Sequence, residues 1–283
     1  MQKWSGQSKT SAWGFRIFLF IIQSFPLSFS YGLLRFVAIW YLLFDKKANF
    51  ALSDYFQTIG FRSTFRFRYR IYLNFGQALI DKLAVYVRKE NLFNIEHNND
   101  HYLFEMAKAG KGGILLGSHI GNWEIAGHML KRIGAPIYVV LLENEKEAIK
   151  KVLEDAQSSK SFKTIGLSED FSFIVTIREI LKSGGIVCMH ADRFLSGMRI
   201  LEHNFLDRKA NFPQGPFILA AKLKVPVSFV YALKSSNKNY KFSCTKPILN
   251  DDPIYIAKEY ILHMEEKVKE APFQWYNFFP FWS

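Results

Sequence analysis

The residues of this chain best suited to chemistry are gathered in Ser118-His119-Ile120-Gly121-Asn122-Trp123-Glu124. A histidine and a carboxylate can share general-base work: the ring takes the proton, and the carboxylate fixes its tautomer and stabilises the imidazolium. His119 and Glu124 stand five positions apart. Inside one helix that spacing turns them about 140° from each other, at about 100° per residue. With His119 on a loop and Glu124 in a first helical turn, the carboxylate can fold back onto the ring. The flanks fit this placement. Gly113-Ile114-Leu115-Leu116-Gly117 is a short aliphatic run that reads as a buried strand. Asn122 to Arg132 reads as a helix with Asn122 at its N-cap. His119 is therefore expected at the carboxyl end of a strand, where open α/β sheets gather their reacting groups.

The elements that must position these residues follow from periodicity. Residues 1–95 are expected to be helical, with apolar side chains at helical spacing, as in Ile71, Phe75, Leu79 and Leu83. From about Gly110 short aliphatic strands alternate with amphipathic helices. Strands are predicted over Gly113–Ser118, Ile137–Leu142, Lys163–Leu167, Gly185–Ala191, Val227–Leu233 and Tyr240–Thr245. Helices are predicted over Asn122–Arg132, Glu145–Ser158, Asp170–Lys182, Gly215–Lys224 and Pro253–Glu270. The alternation predicts an α/β fold with a mixed, largely parallel sheet flanked by helices. A helical region at 1–95 and an α/β region at 96–283 are expected to pack on each other rather than fold independently.

Two further groups point to the same sheet edge. Asp192-Arg193 follows the buried run Gly185–Ala191 and is expected to meet substrate, Arg193 facing a phosphate or glycan charge. The plainer alternative is an ion pair at a strand end. Gly215, after Pro213-Gln214, opens a helix whose backbone N–H groups suit a phosphate or an oxyanion; the alternative is an ordinary helix entry. His97 and His101 flank Asn98-Asn99-Asp100 and read as a surface turn, not a metal site. His128 reads as packed on the helix. No Gly-x-Ser-x-Gly elbow and no strand-linked dinucleotide fingerprint occurs, which removes serine hydrolases and nicotinamide enzymes.

The net charge of +12 suits nucleic acid, anionic lipid headgroups or an acidic carrier protein. Its basic residues, Lys46-Lys47 and Arg62, Arg66, Arg68 and Arg70, lie among apolar and aromatic side chains without a nucleic-acid motif, so nucleic acid is the weakest reading. Aromatics crowd the first 80 residues and the last 12. That distribution suits a membrane interface or an aromatic core equally. Trp13 to Phe44 is apolar but broken by Gln23, Ser24, Pro26, Ser28, Ser30 and Arg35. Helices lying in the interface, or a tilted hairpin, fit it better than a cleaved signal or a straight span; a soluble helical cap is the alternative. Cys188 and Cys244 sit far apart in predicted strands and suit a reducing compartment.

His119-Ile120-Gly121-Asn122-Trp123-Glu124 resembles the HxGNWE signature of the late acyltransferases of lipid A assembly. These form a branch of the lysophospholipid-acyltransferase superfamily, whose other members mostly carry Asp in place of Glu. The resemblance runs from about Trp13 to Trp282 and is strongest from Gly112 to Lys234. It implies a glycerol-phosphate-acyltransferase-like fold and a membrane-associating N-terminal region. The activity implied is transfer of a fatty acyl chain from an acyl-carrier-protein or coenzyme A thioester to a hydroxyl of a lipid A-like glycolipid. The place implied is the cytoplasmic face of a bacterial inner membrane, with membrane lipids and acyl carrier protein as partners and no cofactor beyond the thioester. On this reading His119 and Glu124 are catalytic, and Asn122, Asp192, Arg193, Lys163 and Gly215 bind substrate. The chain departs from the superfamily in three places. Gln214 replaces a common Glu, no arginine falls between Val139 and Gly166 so that Lys163 stands in, and the last Trp lacks its basic neighbour. Other acceptors (a lysophospholipid, an amino-lipid or a polyene) and a non-catalytic lipid-binding protein are the alternatives.

Overall fold

A computed structural model describes residues 12–88, 92–141, 162–167, 172–195 and 197–282. Four helices come first: α1 (Ala12–Ser24), α2 (Leu27–Phe44), α3 (Lys46–Thr58) and α4 (Phe65–Arg88). Pro26 separates α1 from α2, and Asp45 ends α2 and caps α3 by accepting the Ala48 N–H at 3.2 Å. Among the described residues α2 alone is long and apolar enough to cross a membrane. Its outer side exposes Phe36, Trp40, Leu43 and Phe44, while Tyr31, Leu34, Ala38 and Leu42 face inward. Apolar surface of that extent on one helix marks an interaction face rather than a solvated one.

The remainder is β1 (Asn94–Asn98), α5 (His101–Ala109), β2 (Gly113–Gly117), α6 (Trp123–Met129), β3 (Ile137–Leu141), β4 (Lys163–Gly166) and α7 (Ser172–Lys182), then β5 (Ile186–His190), β6 (Ile200–Phe205), β7 (Arg208–Pro213), α8 (Gly215–Leu223), β8 (Val227–Ser236), β9 (Asn239–Cys244) and α9 (Pro253–Glu270). Seven strands form one sheet in the order β1-β9-β8-β2-β5-β3-β4, with β9 antiparallel to β8 and the other pairs parallel. The fold is thus α/β with a mixed, mostly parallel sheet, as the alternating pattern predicts. Side chains of β2 alternate between two cores, as the period of a strand requires. Ile114 and Leu116 enter the core with Ile177, Leu181, Ile256 and Tyr260, whereas Leu115 enters the one with Leu103, Ile125 and Phe242. Each fully buried aliphatic contributes about 1.5–3 kcal/mol of burial, so β2 is fixed from both faces and carries the loop that follows it.

The structure adds elements that the pattern concealed. β1 reads Asn-Ile-Glu-His-Asn and pairs only at the sheet edge with β9, so it lacks an apolar signal. The polar stretch around His97 and His101 divides between β1, a turn at Asn99 and α5, and is more than a surface turn. β6 and β7 form a hairpin through Leu206 and Asp207, both in the left-handed region. Such turns usually carry Asn-Gly or Asp-Gly, and Leu-Asp hides this one. The helix predicted over Glu145–Ser158 lies outside the described residues.

The last residues pack inward. Trp275 is fully buried, edge-on to Tyr55 and Phe205, and the Trp282 indole donates to the Phe205 carbonyl at 3.1 Å. Trp275 also bridges to Ile120, inside the loop after β2. The aromatic tail is therefore a brace for that loop.

Candidate active site

Two parallel neighbours, β2 and β5, end side by side, with Gly117 opposite His190. The loops beyond them bring His119 and Asp192 together. The His119 backbone N–H donates to Asp192 Oδ2 at 3.0 Å, and its Nδ1 lies 2.8 Å from Asp192 Oδ1. Asp192 thus grips one residue at two points. With Nδ1–H donating to the carboxylate, the lone pair resides on Nε2, which is the tautomer a general base needs. Asp192 is fully buried, while the His119 side chain keeps 23% exposure, so the acceptor of a proton is also the reachable member.

The loop owes its path to Gly121, whose φ is +72°. A Cβ there would stand 2.1 Å from the Ala232 carbonyl oxygen. Only glycine allows this close approach. Its N–H donates to the Gln274 carbonyl at 2.8 Å, the Asn122 N–H to Ala232 at 2.8 Å, and the Tyr276 N–H to the His119 carbonyl at 3.1 Å. Three of the loop's backbone atoms are thereby fixed by β8 and the C-terminal segment.

Electrostatics set the protonation states. Burial lowers the His119 pKa, Arg193 lowers it further, and Asp192 opposes both. Burial alone would raise Asp192, but His119, Arg193 and His190 outweigh it and hold the carboxyl well below its ordinary value. Burial draws the Arg193 guanidinium down to about 10, against Asp192. Arg193 remains a cation at neutral pH, donating to the Tyr276 carbonyl at 2.6 Å beside the Phe279 ring.

The remaining expected residues divide. Glu124 is in the first turn of α6 as expected, and its ion pair is with Lys82 of α4. The carboxylate on His119 Nδ1 is Asp192, where the sequence led to an expectation of Glu124. The reason is topological: β5 delivers Asp192 beside β2, whereas α4 delivers a cation to Glu124. Asn122, expected at the substrate, is 2% exposed and caps α6. Its Oδ1 accepts the Ile125 N–H, and its Nδ2 donates to the Ala78 carbonyl and the Tyr240 hydroxyl. It holds the helix rather than a ligand. Lys163 begins edge strand β4, opposite Tyr138, at the amino ends of the parallel strands. His119 lies at their carboxyl ends, so the structure does not bring Lys163 to it. Gly215 opens α8, and the Gln214 before it is bonded to Arg199 and Ile200 at the start of the hairpin. Its described surroundings are the hairpin, not His119.

Two neighbours escape a reading by motif. Lys82 shares a helix with the apolar positions Leu79 and Leu83 and gives no separate signal. His190 ends β5, and its ring stacks on His119 with centroids 4.4 Å apart. Strand alternation places it on one face with Ile186 and Cys188, a signal that is present but unspecific. His119, His190 and Asp192 offer ligand atoms within 4.8 Å of one another. A zinc ion, however, lies in the plane of each imidazole about 2.0–2.1 Å from nitrogen. Rings stacked at an interplanar angle of 28° present faces, not converging lone pairs. The arrangement fits a carboxylate-oriented base better than a metal centre.

Fold and site together define an α/β protein with a carboxylate-bound histidine at the carboxyl edge of its sheet. The family model for bacterial lipid A biosynthesis acyltransferases matches residues 3–283, and the chain belongs to that family. It is an acyltransferase of the lipid A type. No individually curated protein matches the chain.

Proposed function

We propose that the protein transfers a fatty acyl chain from a thioester, on acyl carrier protein or coenzyme A, to a hydroxyl of a lipid A-like glycolipid. The observation that carries this reading is the His119–Asp192 couple at the end of β2, in a chain of this family. His119 Nε2 takes the proton of the acceptor hydroxyl as its oxygen attacks the thioester carbonyl. Asp192 holds Nδ1–H and stabilises the imidazolium. The tetrahedral intermediate collapses by breaking the carbon–sulfur bond, and the imidazolium returns the proton to the leaving thiolate. The acceptor is itself the nucleophile, so no acyl-enzyme forms. Glu124, paired with Lys82, sets the charge beside His190, and Arg193 places a cation next to the base.

The reading includes work at the cytoplasmic face of the inner membrane. The exposed aromatics of α2 enter the lipid interface, and exposed Arg35, Arg66 and Arg70 meet anionic headgroups. The same charge favours an acidic carrier protein. The test is transfer of labelled acyl chains from both thioesters to a glycolipid extract by detergent-purified protein, beside His119→Ala. Labelled glycolipid from wild type alone supports the reading. Equal product from His119→Ala removes the proposed base, and labelled lysophospholipid in place of glycolipid reassigns the acceptor.

A further inference from the structure

His190 is a residue whose local packing is not explained by stability. Its Nδ1 is buried against Gly117 and has no hydrogen-bond partner among the described residues. A Cβ on Gly117 would lie 3.4 Å from that nitrogen and 3.5 Å from Cε1, in ordinary van der Waals contact, so the ring packs directly on the end of β2. An unpaired buried polar atom is destabilising, and phenylalanine would fill a slot of this kind without that cost. Departures of this sort gather at functional positions. The ring is the middle of a three-ring stack. One face meets His119 at 4.4 Å, and Trp123 meets it edge-on at 5.4 Å and 86°.

We propose that His190 is a positioning residue for His119, a neutral aromatic slab that fixes the plane of the base and shields one of its faces from water. The inference rests on the reading of His119 as the base. Asp192 secures the backbone N–H and Nδ1 at one edge of the ring, and a hydrogen bond at one edge leaves tilt of the ring plane to a face-on restraint. The stack supplies that restraint. The slab stays uncharged because burial and the neighbouring His119 push the His190 pKa down to about 3. A neutral π face attracts the imidazolium that forms during proton transfer, whereas a second cation would repel it.

The charged and titratable groups around the two rings act in both directions. Asp192 favours the charged form of both rings and Glu124 that of His190; Arg193 opposes it in both, and Lys82 lies against Glu124. The Tyr276 N–H holds the His119 carbonyl, and the Tyr260 hydroxyl the Gly117 carbonyl, at the base of the loop. His190→Ala changes none of these groups and admits water to one face of His119.

The experiment follows carbethoxylation of His119 by diethyl pyrocarbonate against pH, located by peptide mass, with acyl transfer measured on the same samples. His190→Ala should move the midpoint of His119 reactivity upward toward the ordinary histidine value and lower kcat about tenfold. His190→Phe, which keeps a flat ring, should leave the midpoint in place and kcat within about threefold of wild type. An unmoved midpoint in His190→Ala would overturn the proposal. So would a His190→Phe protein that is folded but about a hundredfold slower, because that outcome assigns the work to the imidazole N–H. If His190→Ala does not fold, the phenylalanine variant decides alone. Wild type that transfers no acyl chain refutes the acyltransfer reading, and the modification profile still judges the stack.

Discussion

Two buried charge clusters lie on either side of Asn122, and they are built for opposite purposes. In one, His119, Asp192, Arg193 and His190 meet at the strand ends, with the His119 ring partly open to solvent. In the other, Asp81 of α4 is fully buried and accepts from Tyr31 of α2, Lys234 of β8 and Tyr240 of β9. Lys234 also donates to the Tyr31 hydroxyl at 3.0 Å, and Tyr240 accepts from Asn122. The second cluster closes on itself: both carboxylate oxygens have donors, and four elements are tied by one group. Burial draws Asp81 upward and Lys234 downward, each opposed by its partner. The first cluster leaves a base that can change its charge, whereas the second makes any such change costly. On the proposed function, chemistry belongs to the first and register to the second.

Breaking each cluster should therefore give different symptoms. His119→Ala should lower acyl-transfer kcat by about 10³- to 10⁴-fold with a smaller loss of stability than the second cluster suffers, because the backbone N–H at 119 and Arg193 still face Asp192. Asp81→Ala should do the reverse, costing about 3–5 kcal/mol of stability because Lys234 is left buried and unpaired; denaturant unfolding measures it. Loss of activity without loss of stability in that variant would erase the distinction. Gly121→Ala lies between the two clusters and should harm both functions. The added Cβ meets the Ala232 carbonyl, and the left-handed backbone adds about 1–3 kcal/mol of strain. Parallel assays of melting and turnover detect the pairing of defects.

The smallest effect is in pH. His190 has a depressed folded pKa of about 3 against an ordinary 6.5, so the unfolded chain binds its proton first. Its contribution to stability is complete above about pH 6.5 and declines as pH falls toward about 3. His190→Phe should flatten the stability profile across that window, as thermal melts at several pH values would reveal. The depressed His119 pKa has the same sign in catalysis. The acid limb of kcat/KM should lie below the ordinary histidine value of 6.5.

Much of the architecture is legible in the chain. The aliphatic run at Gly113–Gly117, the glycine-bearing loop and the Asn122 cap place His119 at a strand end, and α9 spans Pro253–Glu270 as periodicity predicts. What sequence spacing does not convey is which strand ends meet. Asp192 is 73 positions from His119 and becomes its partner only because β5 pairs with β2. Glu124 is near in sequence and draws the eye, yet α4 supplies Lys82 to it from 42 positions earlier. The same long-range pairing explains Lys163, which has suitable charge but stands at the wrong end of its strand. Local periodicity reads elements; the order of strands decides neighbours.

The most direct test compares acyl-transfer kcat in Asp192→Asn and Glu124→Gln under identical conditions. An amide at position 192 no longer selects the Nδ1–H tautomer, so Asp192→Asn should lose about 10²- to 10³-fold, and Glu124→Gln about tenfold or less. Near-normal turnover in Asp192→Asn with abolished turnover in Glu124→Gln would contradict the assignment of Asp192 as the partner of the base.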